Sequence, residues 1–177
     1  MNTIQRRTSP LLLAMGLLTL GMAQAQDAPA PVTAPKAAVL KTHIMLTPEA
    51  VVWGECPPML PRGAQCAVIE GDPKAAGLFA LRIKTPDAYR IPPHFHPADE
   101  HVVVLSGVLN MGLGDSFDPV AGHALPAGGF MVMPAGEHHY AWMKGETVLQ
   151  IYAIGPWGLT YVNPKDDPRN APKGAGN

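Results

Sequence analysis

Short apolar runs separated by turn residues fill the middle of the chain. Residues 78–84 alternate large apolar side chains with Ala, Arg and Lys, which is the period of a strand that buries one face. Glycine and proline stand at the joints between such runs, and the 3.6-residue period of a helix is rare. The predicted strands are 66–70, 78–84, 89–96, 101–105, 108–113, 130–133, 139–143 and 147–154, with one helical turn at 47–51. This number of short strands favours an all-β sandwich or barrel.

Two segments of biased composition set the limits of this domain. Residues 26–39 are rich in Ala and Pro and lack apolar periodicity, so we interpret them as a flexible linker. Residues 163–177 collect Pro, Lys, Asp, Gly and Asn without a large apolar side chain, which predicts a flexible tail. The β domain is therefore predicted at residues 40–162.

Residues 1–25 have the pattern of a secretory signal peptide. Arg6 and Arg7 precede an apolar run at 11–22, and a small-residue cleavage pattern ends at Ala25. An apolar run of about a dozen residues is shorter than the roughly 20 that a membrane-spanning helix needs, which disfavours a membrane anchor. We therefore expect cleavage near Ala25 and a periplasmic or secreted protein. The arginine pair leaves both the general and the twin-arginine export routes open.

Charge and cysteine content agree with export. Without Arg6 and Arg7 the chain has 11 basic and 14 acidic residues, a net charge of −3 that attracts neither nucleic acid nor an anionic membrane. Cys56 and Cys66 bracket a Pro- and Gly-containing segment with little core of its own, and an oxidising compartment favours a disulfide between them. Two unpaired thiols are the alternative, because the sequence does not fix the distance between the two Cα atoms.

The pair His94 and His96 is the first candidate for chemistry. On an extended strand, residues i and i+2 face the same side with Cα atoms about 6.6 Å apart. Two imidazole nitrogens can then each approach one metal ion to about 2.0–2.1 Å. Prolines on both sides keep this segment out of a helix, and the turn after it leads to Glu100, whose carboxylate can reach the same ion. Two histidines alone are weak evidence for a metal site.

The spacing around this pair resembles the two sequence motifs of the cupin superfamily. The first motif is His-x-His, three or four residues, Glu, six residues and Gly; the second is Gly, five residues, Pro-x-Gly, two residues and His. The residues that match are His94, His96, Glu100, Gly107, Gly128, Pro134, Gly136 and His139. Two positions depart from the family pattern: Ala88 stands where a Gly is expected, and Met143 where an Asn is frequent. Neither is a ligand position in the family.

The resemblance implies a jelly-roll β-barrel, the cupin fold, with a divalent transition metal near its opening. The implied metal ligands are His94, His96, Glu100 and His139. Three imidazoles and one carboxylate suit Mn, Fe, Ni, Co or Zn, and copper(I) is disfavoured because no sulfur ligand belongs to the motif. His101 and His138 should face away from the ion, because neighbouring side chains alternate along a strand.

Such a site permits two functions. The protein is either a metal-dependent oxygenase, isomerase or lyase acting on a small oxygenated organic molecule, or a non-catalytic module that binds or senses a metal or small molecule. Candidate catalytic or orienting residues are Glu100, Tyr140, Trp142, Gln150 and Tyr152; all except Glu100 could instead pack the barrel. No cluster of Arg and Lys flanks the motif, which disfavours phosphorylated substrates. By resemblance to the family, we expect a homodimer.

Overall fold

The structure is a computed structural model that describes residues 43–171. The predicted signal peptide (1–25) and linker (26–39) lie outside the described residues. Within the described part, nine strands pair antiparallel: β1 Gly54–Glu55, β2 Gln65–Glu70, β3 Gly77–Thr85, β4 Arg90–Phe95, β5 Glu100–Leu113, β6 His123–Pro126, β7 Phe130–Met133, β8 His139–Gly155 and β9 Thr160–Tyr161. Short 3₁₀ turns occur at Pro48–Ala50, Pro164–Asp166 and Pro168–Asn170. Across residues 43–171, no helix has the length and apolar character that crossing a membrane requires.

Two long bent strands, β5 and β8, organise the sheet. They pair with each other from end to end, with register shifts near the middle of β5. The second half of β8 pairs with β3, which is followed by β2 and β1, while the first half of β8 pairs with β4, which is followed by β9. β7 and β6 pair with the first and second halves of β5. The two halves curl around one apolar core, which confirms the predicted all-β jelly roll.

The bend between the two halves depends on Gly107 and Thr147. Gly107 has a φ of +76°, and a Cβ atom at this position would collide with the carbonyl oxygen of Glu146. The buried Thr147 hydroxyl accepts a hydrogen bond from the Val108 amide at 3.2 Å and donates to the Gly145 carbonyl at 3.1 Å. A bulge changes the direction of a strand without ending its pairing. The predicted strands 101–105 and 108–113 are therefore two halves of β5, and 139–143 and 147–154 are two halves of β8.

The loop before β2 is fastened to the barrel by a disulfide. Cys56 and Cys66 are bonded, with Cα atoms 4.8 Å apart. Leu60, within this loop, is only 4% exposed and belongs to the apolar core. An element that is poor in regular structure therefore contributes a side chain to the barrel interior.

Residues 163–171 fall within the segment that was expected to be a flexible tail, and they form two hydrogen-bonded 3₁₀ turns. Asn163 and Asp167 cap these turns by accepting from the amides of Lys165 and Arg169 at 3.2 and 2.9 Å. The Arg169 guanidinium bonds the Asp167 carboxylate and also donates to the Leu159 carbonyl at 3.2 Å. These contacts hold the segment against the residues that follow β8.

Candidate metal centre

Three histidines converge at one end of the barrel, which we call the mouth. His94 lies near the end of β4, His96 follows that strand, and His139 begins β8. The register places His94 directly opposite His139. All three side chains are buried, and one potential ligand atom from each lies within 4.8 Å of the others. The structure thus brings together the three histidines of the predicted ligand set, and they could hold a metal ion.

Hydrogen bonds fix the orientation of each ring. The Nδ1 atoms of His94, His96 and His139 lie 2.7, 2.7 and 2.9 Å from the carbonyl oxygens of Pro92, Gly158 and Glu137, respectively. A carbonyl only accepts, so Nδ1 carries the proton in each ring and the Nε2 lone pair is free. The Nε2 atom of His139 is buried without a hydrogen-bond partner. Such an orphaned acceptor, in a ring oriented by a partner on its other nitrogen, fits a metal ion.

Burial also keeps the three histidines neutral. It is the main cause that lowers the pKa of each ring, and for His94 the neighbouring His139 and His96 lower the pKa further. The hydrogen bonds to backbone carbonyls act in the opposite direction but are the weaker influence. A neutral imidazole is the form that binds metal.

Glu100 lies beside the three histidines. It begins β5, is 4% exposed, and places Oε2 at 3.5 Å from Nε2 of His96. Its oxygens do not belong to the group of atoms within 4.8 Å of one another. Burial raises the Glu100 pKa to about 7, while His139 and the indole of Trp157 act to lower it. The buried Trp157 Nε1 makes no hydrogen bond, but its N–H lies close enough to Glu100 to favour the ionised form of the carboxylate.

The turn of the second motif is fastened to the turn of the first. The Gly136 amide donates to the His96 carbonyl at 2.9 Å, and the Ala135 amide donates to the Asp99 carboxylate at 2.8 Å. Gly136 has a φ of +77°, a conformation that favours glycine. These two bonds hold the segment before His139 against the segment after His94, so the Pro-x-Gly spacing positions the histidines relative to one another.

The cavity at the histidines is small and mostly apolar. Its volume is about 30 Å³, room for about two or three water molecules at about 10–15 Å³ each on this measure. Strand residues such as Val102, Leu109 and Met111 form its walls, and Leu60 and Trp157 from outside the strands complete it. The ring of Trp157 stacks on His96 with centroids 5.5 Å apart. Sequence reasoning did not identify Leu60 or Trp157, which neither motif contains.

The other candidate catalytic residues lie away from this cavity. Tyr140 is buried on the opposite face of β8 from His139, and its hydroxyl donates to the Asp118 carbonyl at 2.9 Å. Trp142 stacks beside Tyr140 with ring centroids 6.1 Å apart. Tyr152 accepts a hydrogen bond from Gln150, whose Oε1 accepts from the Arg82 guanidinium at 2.7 Å. None of Tyr140, Trp142, Gln150 and Tyr152 lines the cavity.

His101 and His138 also lie outside the cavity, as strand alternation predicts. His101 pairs with Val132 and Tyr152 in the sheet, and His138 is partly exposed with Nδ1 at 2.6 Å from the Asp115 carboxylate. Neither contributes to the histidine cluster.

The jelly roll, with buried histidines and a carboxylate at its mouth, is the cupin fold. Among solved structures, the polyketide cyclase RemF from Streptomyces resistomycificus is 16% identical over 72% of this chain and 90% of its own, with a TM-score of 0.59. A candidate acetylacetone dioxygenase from Methylibium petroleiphilum PM1 is 18% identical over 76% and 90%, with a TM-score of 0.55. The DMSP lyase DddQ from Ruegeria pomeroyi DSS-3 is 17% identical over 64% and 61%, with a TM-score of 0.50. At these identities the similarity establishes the fold.

The chain belongs to the family described as Domain of unknown function (DUF4437), whose model matches residues 44–171. This match spans nearly the whole of the described part of the chain. No curated protein matches the sequence.

Proposed function

We propose that this protein is an exported, metal-dependent cupin enzyme that acts on a small oxygenated organic molecule. The observation that carries the proposal is the convergence of three neutral, oriented histidines beside a buried carboxylate. A carboxylate in this position can bind the ion or transfer a proton to or from a molecule at the ion, and the second role is that of a general acid or base.

His94, His96 and His139 would hold the ion through their Nε2 atoms. The nitrogen-rich donor set suits Mn, Fe, Ni, Co or Zn. When bound, such an ion supplies Lewis-acid or redox chemistry to an oxygen-containing ligand. Glu100 either completes the ligand set or stays off the ion and handles a proton, and its position 3.5 Å from His96 Nε2 is compatible with both roles.

The surroundings of the histidines indicate the class of substrate. The cavity walls are apolar, and neither Arg nor Lys lines them in the part of the chain that the structure describes. Phosphorylated or strongly anionic molecules are therefore poor candidates, whereas small diketones or catechols match an apolar wall with oxygens directed at the ion. The structural neighbours are named as a cyclase, a dioxygenase candidate and a lyase, and a shared fold does not select among such reactions.

Export is the second part of the proposal. The Cys56–Cys66 disulfide supports an oxidising compartment, since cytosolic thiols are kept reduced. The signal-peptide pattern of residues 1–25 points the same way. Mass spectrometry of the mature N-terminus from a periplasmic fraction tests both features.

A non-catalytic metal-binding module is the second candidate. The specific observation in its favour is the cavity volume of about 30 Å³, which holds water but no organic molecule. Elemental analysis of protein purified from the periplasm, followed by oxygen consumption and product analysis with catechols, diketones and flavonols, separates the two candidates. A zinc-filled protein that turns over none of these and still binds a small molecule would favour the module.

The metal site itself is tested by a pair of histidine substitutions. His96→Ala should abolish retention of the metal, because it removes one of three clustered Nε2 donors. His101→Ala, five residues away on the outer face, is the matched control and should retain the metal at the wild-type ratio. Inductively coupled plasma mass spectrometry measures the ratio of metal to protein in both variants. Equal loss from the two variants, or a stoichiometric copper(I) load held by methionines, would contradict the site.

A further inference from the structure

The loop that closes the barrel mouth presents Leu60 to the histidine cavity. Leu60 is 4% exposed and lines the same cavity as His94, His96, Glu100 and His139. It belongs to no strand, so its burial depends on how the loop between Cys56 and Cys66 is held.

Three attachments hold this loop in place. The Tyr161 hydroxyl donates to the Met59 carbonyl at 2.8 Å, and the Tyr89 hydroxyl donates to the Pro61 carbonyl at 2.6 Å. These two bonds fasten the residues immediately before and after Leu60, and both tyrosine side chains are buried in the barrel. The disulfide supplies the third attachment. Leu60 is therefore inserted by a loop that is fixed at its flanks.

Leu60 also borders a surface groove, although its side chain is buried. It lines a surface groove of about 530 Å³ together with Pro58, Pro61 and Arg62. The inner cavity of about 30 Å³ and this groove have Leu60 in common, and the inner cavity shares Trp157 with a second surface groove of about 830 Å³. Met59, the residue before Leu60, lines this second groove and does not line the inner cavity.

We propose that Leu60 is a residue that limits the size of molecules able to reach the histidines. With Leu60 in place, the cavity admits water or a ligand of two or three atoms such as azide, and a larger organic molecule reaches the histidines only after Leu60 moves aside. The size limit follows from the packing of Leu60. That it acts on a substrate rests on the proposed function. Shortening this side chain should therefore open the site to larger molecules.

Acylation of the histidines tests the limit without a metal. Diethylpyrocarbonate is an organic reagent that modifies neutral imidazoles and exceeds the cavity in size, and exposed His123 is an internal reference for its reactivity. In the metal-free mature protein, His94, His96 and His139 should react far more slowly than His123. Leu60→Ala should accelerate their modification about tenfold or more, since removing a buried leucine side chain frees the mouth. Peptide mass spectrometry gives each rate.

Two further variants keep this experiment decisive. Leu60→Val is a smaller truncation that should give an intermediate acceleration even if Leu60→Ala proves unstable, and circular dichroism verifies the fold of each protein. Arg62→Ala truncates an exposed side chain of the same loop that does not line the cavity, and it should leave the rates unchanged. Wild-type histidines that react as fast as His123, or rates unaffected by both Leu60 variants, would overturn the proposal.

A graded pair of ligands tests the same limit in the metal-loaded protein. With Co(II) bound, azide should perturb the visible absorption of the wild type, whereas catechol should do so at least about tenfold more weakly than in Leu60→Ala. Equal responses to catechol in the two proteins would reject Leu60 as the size limit. Failure to bind Co(II) would instead count against the proposed metal centre, and the acylation result would still decide the role of Leu60.

Discussion

Replacing Glu100 with Gln separates the cost of burying a carboxylate from the benefit of placing it beside three histidines. Glu100 is 4% exposed, and the substitution keeps its size and shape while removing its ability to ionise. In the metal-free protein, the ionised side chain has lost most of its hydration and gains little in return, because the surrounding histidines are neutral.

The magnitude follows from the pKa. Burial raises the pKa of Glu100 from its ordinary value of 4.5 to about 7. Each unit corresponds to about 1.4 kcal/mol, so the ionised carboxylate destabilises the metal-free fold by about 3 kcal/mol above that pH. Glu100→Gln should therefore raise the free energy of unfolding by about 3 kcal/mol at pH 8 and by less than about 1 kcal/mol at pH 5.

The sign depends on which state holds the proton. Between pH 4.5 and about 7, the folded protein keeps Glu100 protonated while the unfolded chain releases the proton, so this group makes stability fall as pH rises. The three histidines act oppositely: their lowered pKa values make stability fall as pH drops below their ordinary value of 6.5. Because both proteins contain the three histidines, most of their contribution cancels when the free energy of unfolding of wild type is subtracted from that of the variant.

Urea denaturation of metal-free wild type and variant at pH 5 and pH 8 measures the effect. Glu137→Gln is the matched control, because Glu137 is exposed and lies two residues before His139; it should change stability by less than about 0.5 kcal/mol at either pH. Adding Zn(II) or Co(II) should reverse the advantage of Glu100→Gln, since a bound cation stabilises a neighbouring carboxylate. A variant that is less stable than wild type at pH 8 without metal would refute the reasoning.

Three other predictions follow from the structure. Ala88 has a φ of +58°, a conformation that favours glycine, so Ala88→Gly should stabilise the fold by about 0.5–1 kcal/mol. Ala124→Gly in β6 is the control and should destabilise the fold by a similar amount. Thermal unfolding measures both variants, and a loss of stability in Ala88→Gly as well would contradict the prediction. Reducing the Cys56–Cys66 disulfide, which closes a loop with a sequence separation of 10, should lower stability by about 3 kcal/mol in urea titrations. If the expected homodimer forms through the apolar outer sheet face, Phe130→Asp should shift analytical ultracentrifugation to monomer; a monomeric wild type would reject it.

Much of the fold could be predicted because its strands carry local signals. Alternation at 78–84 correctly predicted β3, which the structure places at Gly77–Thr85. The continuity of β5 and β8 could not be predicted in this way. Gly107 and Gly145 read as strand ends in the sequence, whereas in the structure a bulge stabilised by Thr147 carries the ladder past them.

The candidate site was predictable where spacing alone determines geometry. The same alternation that directs His138 away from the histidine cluster also directs Tyr140 and Trp142 away, because both are an odd number of residues from His139. Strand alternation therefore predicts that neither Tyr140 nor Trp142 lines the cavity. Leu60 and Trp157 were beyond such reasoning, since their positions depend on how segments outside the motifs pack over the mouth.

Burial has two separable consequences at this centre. The electrostatic consequence is neutral histidines beside a carboxylate that resists ionisation, and a divalent cation reverses the cost to the carboxylate. The steric consequence is a cavity of about 30 Å³ that Leu60 helps to line; under our proposal, a bound ion does not enlarge it, and Leu60 has to move before an organic molecule enters. A protein that loads metal while Leu60 stays seated can bind an ion but no organic molecule. Turnover of an organic substrate therefore requires both properties, and the Leu60 variants address the one that metal analysis leaves untouched.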